Sequence, residues 1–386
     1  MRFGRTPMSP GQDDQVSEER LRVGYVAGAL AGGGGMARYA RELLKALALR
    51  DDVSFVVVAP REAEPYCADL PPGVVERFIP FSGWGAVGRA AWEIHRLGAR
   101  LERLDLDVVH GMKHLVPKTR LPTVLTVHDV MAITWPQQFG LVKRMLLPRQ
   151  YRDSLRAADL LLSDSNATAA RLAALDPNFS SKTVVAGLGV APHLLTVESA
   201  RPSVVPEGPF ALVVGDLSPR KNLMLLLDIW EEVAARTGGL RLVAVGPEGW
   251  RSKPTRSRIG DLAGSGVVTW AAHVSDRELR WCYENAAVVL MPTIEEGFGL
   301  PVVEALAFGA PVVASTDLAL IEAAAGMARH VDVSFPDAWI KAIVEACEAG
   351  RTSLSGFQLP TWDMCAAETM EAYRLAITAH GKLSRG

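Results

Sequence analysis

Two glutamates separated by seven residues frame a glycine-containing loop in "PTIEEGFGLPVVEALAFGAPVVAS", residues 292–315. An apolar run precedes the loop, and "PVVEALAF" after it reads as a short helix. Proline suits the first position of a helix and glycine the position past its end, so we predict a helix from Pro301 to Gly309. The loop would then enter a helix N-terminus, where free N–H groups and the positive dipole end attract anions.

The two carboxylates, Glu296 and Glu304, would repel a phosphate bound at this turn. We therefore expect them to flank the anion and to accept hydrogen bonds from hydroxyl groups, such as a ribose diol and a sugar ring. Gly297 and Gly299 would let the backbone approach this ligand closely. The alternative is that Glu304, placed in the first helical turn, only complements the helix dipole. The paired glycines and the second glutamate favour a site for a sugar nucleotide.

Arg220 and Lys221 form a second candidate group, between the apolar run "FALVVGDL" and the helical segment "NLMLLLDIWEEVAAR". Positive charge at a helix N-terminus is unfavourable, so two cations there indicate a ligand. A departing nucleoside diphosphate needs fixed cations or a metal ion. The D-x-D at Asp105 and Asp107 precedes the strand "VVH", at the wrong end of a sheet, so we interpret it as a polar turn and expect no metal ion.

His128 ends the apolar run "TVLTVH". It could hydrogen-bond the donor sugar or an oxocarbenium-like transition state, or it could order its own loop, and the sequence leaves both roles open. In "GALAGGGGMARYAREL", Gly34 and Gly35 would let the backbone approach the donor diphosphate or the acceptor. A dinucleotide site would need an acid at the end of the next strand, which instead ends in "APR", so an NAD enzyme is disfavoured.

The strands and helices that must position these residues can be predicted from the length of the chain and from the pattern of its apolar residues. A chain of 386 residues predicts two domains. Short apolar runs alternate with helix-length segments in two series, which predicts two doubly wound α/β domains whose strand ends form the ligand crevice. The predicted parts are a disordered tail 1–20, an N-terminal acceptor domain 21–195, a linker 196–209, a C-terminal donor domain 210–360, and a helix 361–386 that crosses back to the N-terminal domain.

Composition excludes several other classes. The net charge of −2 gives no support for nucleic acid binding. The four cysteines are scattered without a C-x-x-C, which suits a reducing cytosol better than a disulfide framework or a zinc site. No apolar run is long enough to span a bilayer, and the first residues lack the apolar core of a signal peptide. We therefore expect a cytoplasmic protein.

The block "EEGFGLPVVEALAFGAPVVAS" resembles the E-x7-E signature of glycosyltransferase family 4, which contains retaining enzymes of the GT-B fold. The likeness continues through "VVGDLSPRKNLMLLLDIW", "AVGPEGW" and "HVSDRELRWCYENAAVVLMPT", and it covers nearly the whole chain beyond residue 20. Within the family, the sequence is most similar to the bacterial mannosyltransferase-like branch that builds surface polysaccharides. The resemblance implies a GT-B fold, with two tandem Rossmann-like domains facing an interdomain cleft.

The resemblance also implies roles for individual residues. Glu304 would bind the nucleotide ribose, Glu296 would hold hydroxyl groups of the donor sugar, and Arg220 with Lys221 would clamp the diphosphate. Further donor contacts would come from Gly297, Phe298, Gly299, Leu300 and Val274. The family often has arginine where this chain has Asp216, so we do not expect Asp216 to be a ligand.

These roles imply transfer of a hexose from a nucleoside-diphosphate sugar, resembling GDP-mannose, to a glycan, lipid-linked or small-molecule acceptor. Configuration would be retained, and no metal or other cofactor would be needed. One alternative is a non-catalytic nucleotide-sugar-binding subunit, which would be expected to lose Glu296 or Lys221. Another is a UDP-sugar-dependent transferase of a natural-product pathway. A sugar phosphorylase would need a pyridoxal-binding lysine, which we cannot place.

Residues 139–159, "FGLVKRMLLPRQYRDSLRAAD", combine basic and apolar side chains at roughly helical spacing. The basic residues are Lys143, Arg144, Arg149, Arg152 and Arg156, and the apolar ones are Leu141, Val142, Met145, Leu146, Tyr151 and Leu155. Pro148 should kink or split the helix. Such a helix could lie on an anionic bilayer, or it could be a domain helix with a basic outer face.

Overall fold

The computed structural model describes residues 20–81, 96–353 and 357–383. The predicted N-terminal tail lies outside the described residues except for Arg20. The described chain forms two successive parallel sheets with helices connecting their strands. This arrangement confirms the predicted fold class, two tandem Rossmann-like domains of the GT-B type.

The first sheet has seven described strands in the order β3-β2-β1-β4-β5-β6-β7, all paired in parallel. Their bounds are β1 Leu21–Val26, β2 Val53–Pro60, β3 Val75–Phe81, β4 Val108–Gly111, β5 Thr123–Val127, β6 Leu160–Ser163 and β7 Thr183–Val185. Strand β2 is buried except at its last residue. Its sequence, "VSFVVVAP", is the continuous apolar run that a parallel strand covered on both faces requires.

Seven described helices accompany this sheet and the connection that follows it. They are α1 Gly35–Ala48, α2 Glu64–Ala68, α3 Gly98–Leu101, α4 Met131–Thr134, α5 Leu141–Ala157, α6 Asn166–Leu175 and α7 Pro192–Thr196. The last of these ends at Thr196, the first residue of the predicted linker. Proline is favoured in the first helical turn, and Pro192 begins this short helix.

The second sheet has six described strands in the order β10-β9-β8-β11-β12-β13, again all parallel. Their bounds are β8 Phe210–Val214, β9 Arg241–Val245, β10 Val268–Ala271, β11 Val288–Met291, β12 Val312–Ser315 and β13 Arg329–Val331. The helices of this half are α8 Leu223–Arg236, α9 Lys253–Ala263, α10 Asp276–Asn285, α11 Leu300–Ala307, α12 Leu318–Ala324, α13 Pro336–Ala349 and α14 Trp362–Leu383.

The final helix, α14, packs against the first sheet and against α1. The buried Tyr373 hydroxyl lies 2.8 Å from Nδ1 of His110, and Nε2 of the same ring lies 2.7 Å from the Thr126 hydroxyl. Burial lowers the pKa of His110 to about 3, so this ring is neutral. These contacts fix the end of the chain to the N-terminal half of the molecule.

Of the two effects expected of Pro148, a kink or a split, the split does not occur, because α5 is one continuous helix with the proline inside it. Tyr151 and Leu155, on the C-terminal side of the proline, are buried in the core of the N-terminal domain. We attribute the continuity of the helix to this packing, which offsets the hydrogen bond that proline removes. Among the described residues, no helix is both long and apolar enough to cross a membrane.

Candidate functional site

The predicted site residues come together where the carboxyl ends of strands from both sheets meet. His128 directly follows β5, and Gly297 lies in the loop between β11 and α11. A Cβ atom built on Gly297 would lie 1.9 Å from the backbone carbonyl oxygen of His128. The two domains are therefore in direct backbone contact at this point, as the crevice rule for parallel sheets leads one to expect.

The carboxylate of Glu296 lies between the two predicted cations. Its Oε1 accepts a hydrogen bond from Nη1 of Arg220 and its Oε2 one from Nζ of Lys221, both at 2.8 Å. Burial alone would raise the pKa of Glu296, but the charges of Arg220 and Lys221 outweigh it and bring the pKa to about 2. Glu296 is therefore an anion at neutral pH, and it holds both cations at the crevice.

The cations stand on a short turn, Pro219–Lys221, that links β8 to α8. The Arg220 carbonyl accepts a hydrogen bond from the Ile294 amide at 2.9 Å, which ties the turn to the loop after β11. Asp216 accepts hydrogen bonds from the amide and hydroxyl of Ser218 and so orders the turn itself.

The second glutamate is engaged differently. Glu304 is 1% exposed, its Oε1 accepts from Nη1 of Arg38, and its Oε2 accepts from the Tyr283 hydroxyl at 2.8 Å. Helix α11 begins at Leu300 and has no acidic residue in its first turn. The interpretation of Glu304 as a first-turn acid that complements the dipole is therefore wrong. A partly buried cation and a buried hydroxyl compensate for its burial instead.

The backbone of the loop between the glutamates is held by the N-terminal domain. The Glu296 carbonyl accepts from Nη1 of Arg171 at 2.6 Å. The Gly297 carbonyl accepts from the hydroxyls of Ser165 at 2.5 Å and Thr168 at 3.1 Å. Ser165 also caps α6 by accepting a hydrogen bond from the Thr168 amide. The loop is thus fixed from across the crevice.

Both ring nitrogens of His128 have partners. Nδ1 lies 2.7 Å from Oδ2 of Asp164, and Nε2 lies 3.2 Å from the carbonyl of Met112. Burial would lower the pKa of His128, but the Asp164 carboxylate outweighs burial and raises it. Two acceptors around one ring stabilise the doubly protonated imidazolium, with each N–H donating to an oxygen.

The remaining predicted donor contacts lie around the same loop, after β1 and after β10. Gly299 caps α11 with a φ of 106°, a conformation that favours glycine, and Phe298 beside it is buried. Leu300 and Val274 are partly buried. Gly34 precedes α1 and Gly35 begins it, and both are exposed.

The described residues contain no group of three or more histidine, cysteine, aspartate or glutamate side chains that could hold a metal ion. Asp105 and Asp107 lie at the start of β4, away from the crevice. There, Asp107 accepts from the Arg22 amide at 2.7 Å, and Asp105 forms an ion pair with the Arg22 guanidinium at 3.3 Å.

Sequence reasoning missed four residues that contact the site: Arg38, Tyr283, Arg171 and Asp164. Arg38 and Glu304 are 266 positions apart, and no local pattern connects them. Arg38 does lie just beyond the glycine loop, on the helix that this loop begins. This position could have identified Arg38 from the sequence, because a cation one turn into a helix that faces the crevice can reach the opposite domain.

Comparisons with known proteins agree with this geometry. The profile of Glycosyltransferase Family 4 matches residues 33–194, and that of Glycosyl transferases group 1 matches residues 198–350. The chain is 24% identical over 283 residues to O-antigen chain mannosyltransferase B of Escherichia coli, covering 69% of this chain and 74% of the relative. It is 29% identical over 304 residues to the MMP α-(1→4)-mannosyltransferase of Mycolicibacterium hassiacum, covering 71% and 72%.

Among solved structures, HepE of Anabaena in complex with UDP-glucose superposes with a TM-score of 0.63. The match covers 95% of this chain and 99% of HepE at 16% sequence identity, so it shows a shared fold.

Proposed function

Since the chain belongs to glycosyltransferase family 4, we propose that it transfers a hexosyl group from a nucleoside-diphosphate sugar to a carbohydrate or lipid-linked acceptor. The transfer would retain the anomeric configuration and would need no metal ion. Both points rest on the family resemblance and on the residues that stand at the crevice.

The observation that carries the proposal is the pairing of Glu296 with both Arg220 and Lys221. The side chain of Lys221 is 10% exposed and that of Arg220 21%, so these cations are partly desolvated and held in place. Fixed cations in such surroundings stabilise developing negative charge with little reorganisation. That is the requirement of a departing nucleoside diphosphate.

In the reaction we propose, the bond between the anomeric carbon and the phosphate oxygen breaks. A bond to the acceptor hydroxyl oxygen forms on the same face, and the acceptor's proton passes to the leaving diphosphate. The protein contributes positioning and electrostatic stabilisation. Arg220 and Lys221 would hold the diphosphate, Glu296 the donor-sugar hydroxyls, and Glu304 the ribose.

Of the two roles left open for His128, its contacts favour ordering of the crevice. Both ring nitrogens are engaged within the N-terminal domain, and its carbonyl packs against Gly297. We propose that His128 positions the loop that carries Glu296. Backbone groups of Phe298, Gly299 and Leu300 would then contact the donor.

The donor sugar that we favour is mannose, because the two relatives reported above are named as mannosyltransferases. The nucleotide base of the donor is either guanine, as in GDP-mannose, or uracil, since a protein of the same fold was solved with UDP-glucose. A UDP-sugar-dependent transferase of a natural-product pathway is therefore the second candidate. The mannosyltransferase relatives favour a role in surface polysaccharide synthesis, on the cytoplasmic side where nucleotide sugars are available.

A lipid-linked acceptor would bring the protein to a membrane surface, and α5 offers a contact. Leu141, Met145 and Leu146 in its first half are exposed, beside the exposed Arg144 and Arg149. Apolar side chains flanked by cations are typical of helices that lie at an anionic interface. We propose that this half of α5 makes peripheral contact with the inner leaflet.

A donor screen would test the proposed function. The purified protein is incubated with GDP-mannose, UDP-glucose and related donors, together with a mixture of glycan and lipid-linked acceptors, and products are identified by mass spectrometry. We expect a product heavier than its acceptor by one hexosyl unit, with GDP-mannose as the preferred donor, and slower formation of that product with Glu296→Gln. Absence of transfer and of nucleotide binding with every donor would refute the proposal.

A further inference from the structure

The carboxylate that we assign to the donor ribose is already bound by the opposite domain. Arg38 on α1 of the N-terminal domain donates from Nη1 to Oε1 of Glu304, on α11 of the C-terminal domain. The second oxygen, Oε2, accepts from Tyr283, which belongs to the same domain as Glu304. Both oxygens therefore have donors, and the side chain is 1% exposed.

A ribose diol needs both oxygens of such a carboxylate, one for each hydroxyl. A carboxylate oxygen can accept two hydrogen bonds, but a fully buried group has no open approach for a second donor. One partner must therefore move when a nucleotide binds at Glu304. Arg38 is the partner that can leave with a domain movement, because Tyr283 is fully buried in the same domain as Glu304.

Arg38 also has a second acceptor close by. Its Nη2 lies 3.2 Å from Oδ1 of Asp276, the first residue of α10 in the C-terminal domain. Asp276 is half exposed, and its other oxygen lies 2.9 Å from Nε2 of His193. The guanidinium can therefore move onto Asp276 alone, which frees Oε1 of Glu304 and keeps an ion pair between the domains.

We propose that Arg38 competes with the donor ribose for Glu304 and transfers to Asp276 when the nucleotide binds. This inference rests on the proposed function, specifically on the assignment of Glu304 to the ribose. Arg38 then acts on donor affinity through Glu304 and is a positioning residue. Its ion pair with Glu304 belongs to the nucleotide-free state, whereas its ion pair with Asp276 is present in that state and becomes its only carboxylate contact in the bound state.

The competition has a consequence that a purely structural ion pair lacks. Removing a competitor raises apparent affinity, because a larger fraction of the protein is competent to bind. Removing the site to which the competitor moves lowers apparent affinity. The substitutions Arg38→Met and Asp276→Asn should therefore change nucleotide binding in opposite directions, although both weaken contacts between the same two domains.

The experiment measures binding of GDP and UDP by isothermal titration calorimetry. We expect Arg38→Met to tighten binding about three- to tenfold and Asp276→Asn to weaken it about threefold. The double variant should match Arg38→Met, because Asp276 matters only while Arg38 is present. Arg277→Met is the matched control, because Arg277 lies on the same helix turn as Asp276. Its ion pair with Glu198 does not involve Glu304, so the nucleotide affinity should stay as in the wild type.

Unchanged or weaker binding in Arg38→Met would overturn the inference, since Arg38 would then support the site. If Arg38→Met does not fold, Asp276→Asn decides alone, and wild-type affinity in that variant would overturn the exchange. Failure of the proposed function looks different: the wild type itself would then bind neither GDP nor UDP, and the inference would fall with it.

Discussion

The carbonyl oxygen of His128 and the α-carbon of Gly297 are in contact across the boundary between the two domains. A Cβ on Gly297 would lie 1.9 Å from that oxygen, far closer than van der Waals contact permits. The backbone conformation of Gly297 is not left-handed, so the glycine is required by the approach of the opposite domain. The close approach of the two domains therefore requires that residue 297 has no side chain.

Gly297→Ala should separate the domains at this point. We expect a loss of about 1–3 kcal/mol in the free energy of unfolding through overpacking. Transfer activity should fall about 100-fold, because the loop that carries Glu296 would be displaced by an ångström or so. Urea unfolding and a transfer assay measure the two effects.

Gly260→Ala is the control for that substitution, since Gly260 is helical and a Cβ there meets no heavy atom within 4 Å. It should stabilise the protein by about 0.5–1 kcal/mol and leave activity unchanged. Wild-type activity in Gly297→Ala would contradict the assigned contact.

Glu296→Gln and Glu304→Gln should have different kinetic profiles. Glutamine at position 296 leaves Arg220 and Lys221 without their counter-charge, so we expect mainly a lower kcat. Glutamine at position 304 replaces one of the two acceptor oxygens for a ribose by an amide donor, so mainly the donor KM should rise. Each change should cost about 1–3 kcal/mol, divided differently between the two constants. Glu345→Gln serves as the control, because Glu345 on α13 forms a solvent-exposed ion pair with Arg329. Identical changes of kcat and KM in Glu296→Gln and Glu304→Gln would argue against separate roles.

Metal independence can be checked directly. Arg220 and Lys221 are placed to take the charge that a metal ion would otherwise balance, so activity should remain complete in excess EDTA. Lys221→Met should lower kcat, and added manganese or magnesium should not restore it. Loss of wild-type activity in EDTA with recovery on adding either ion would show that the cations do not suffice.

The sequence predicted the two sheets because fully buried parallel strands leave continuous apolar runs such as "VSFVVVAP". It predicted that Glu296, Arg220 and Lys221 would lie near one another because all three follow strands of one parallel sheet. It could not predict the partner of Glu304, because Arg38 lies 266 positions away and no local pattern connects the two residues. For α5 it left a kink or a split open, and the split does not occur because Tyr151 is packed in the core.

Stability should depend on pH through His128. Its pKa is raised in the folded protein, where the Asp164 carboxylate outweighs burial. A raised pKa contributes stability that is complete below the unfolded value of 6.5 and is lost as the pH rises through the folded pKa. The free energy of unfolding should therefore fall as the pH rises above the unfolded value, and fall less in Asp164→Asn.

Urea unfolding over a series of pH values from 6 upwards measures this dependence, and ¹⁵N chemical shifts of the ring should show both nitrogens protonated at pH 6. A wild-type dependence on pH that Asp164→Asn leaves unaltered would assign the titration to another group.

The last prediction concerns the exposed half of α5. Leu141 is 77% exposed and Met145 69%, whereas Tyr151 and Leu155 on the same helix are buried, so the apolar side chains divide between solvent and core. The exposed half also carries Arg144 and Arg149, and a cation at an anionic surface contributes about 1 kcal/mol. We expect the protein to sediment with anionic liposomes at low salt and to be released from them at high salt. It should not sediment with neutral liposomes. Leu141→Ser with Met145→Ser should abolish sedimentation, while Leu49→Ser, an equally exposed leucine on the surface at the end of α1, should not. If the wild type stays in the supernatant with both liposomes at low salt, this half of α5 is a solvated surface and the lipid-linked acceptor loses its structural support.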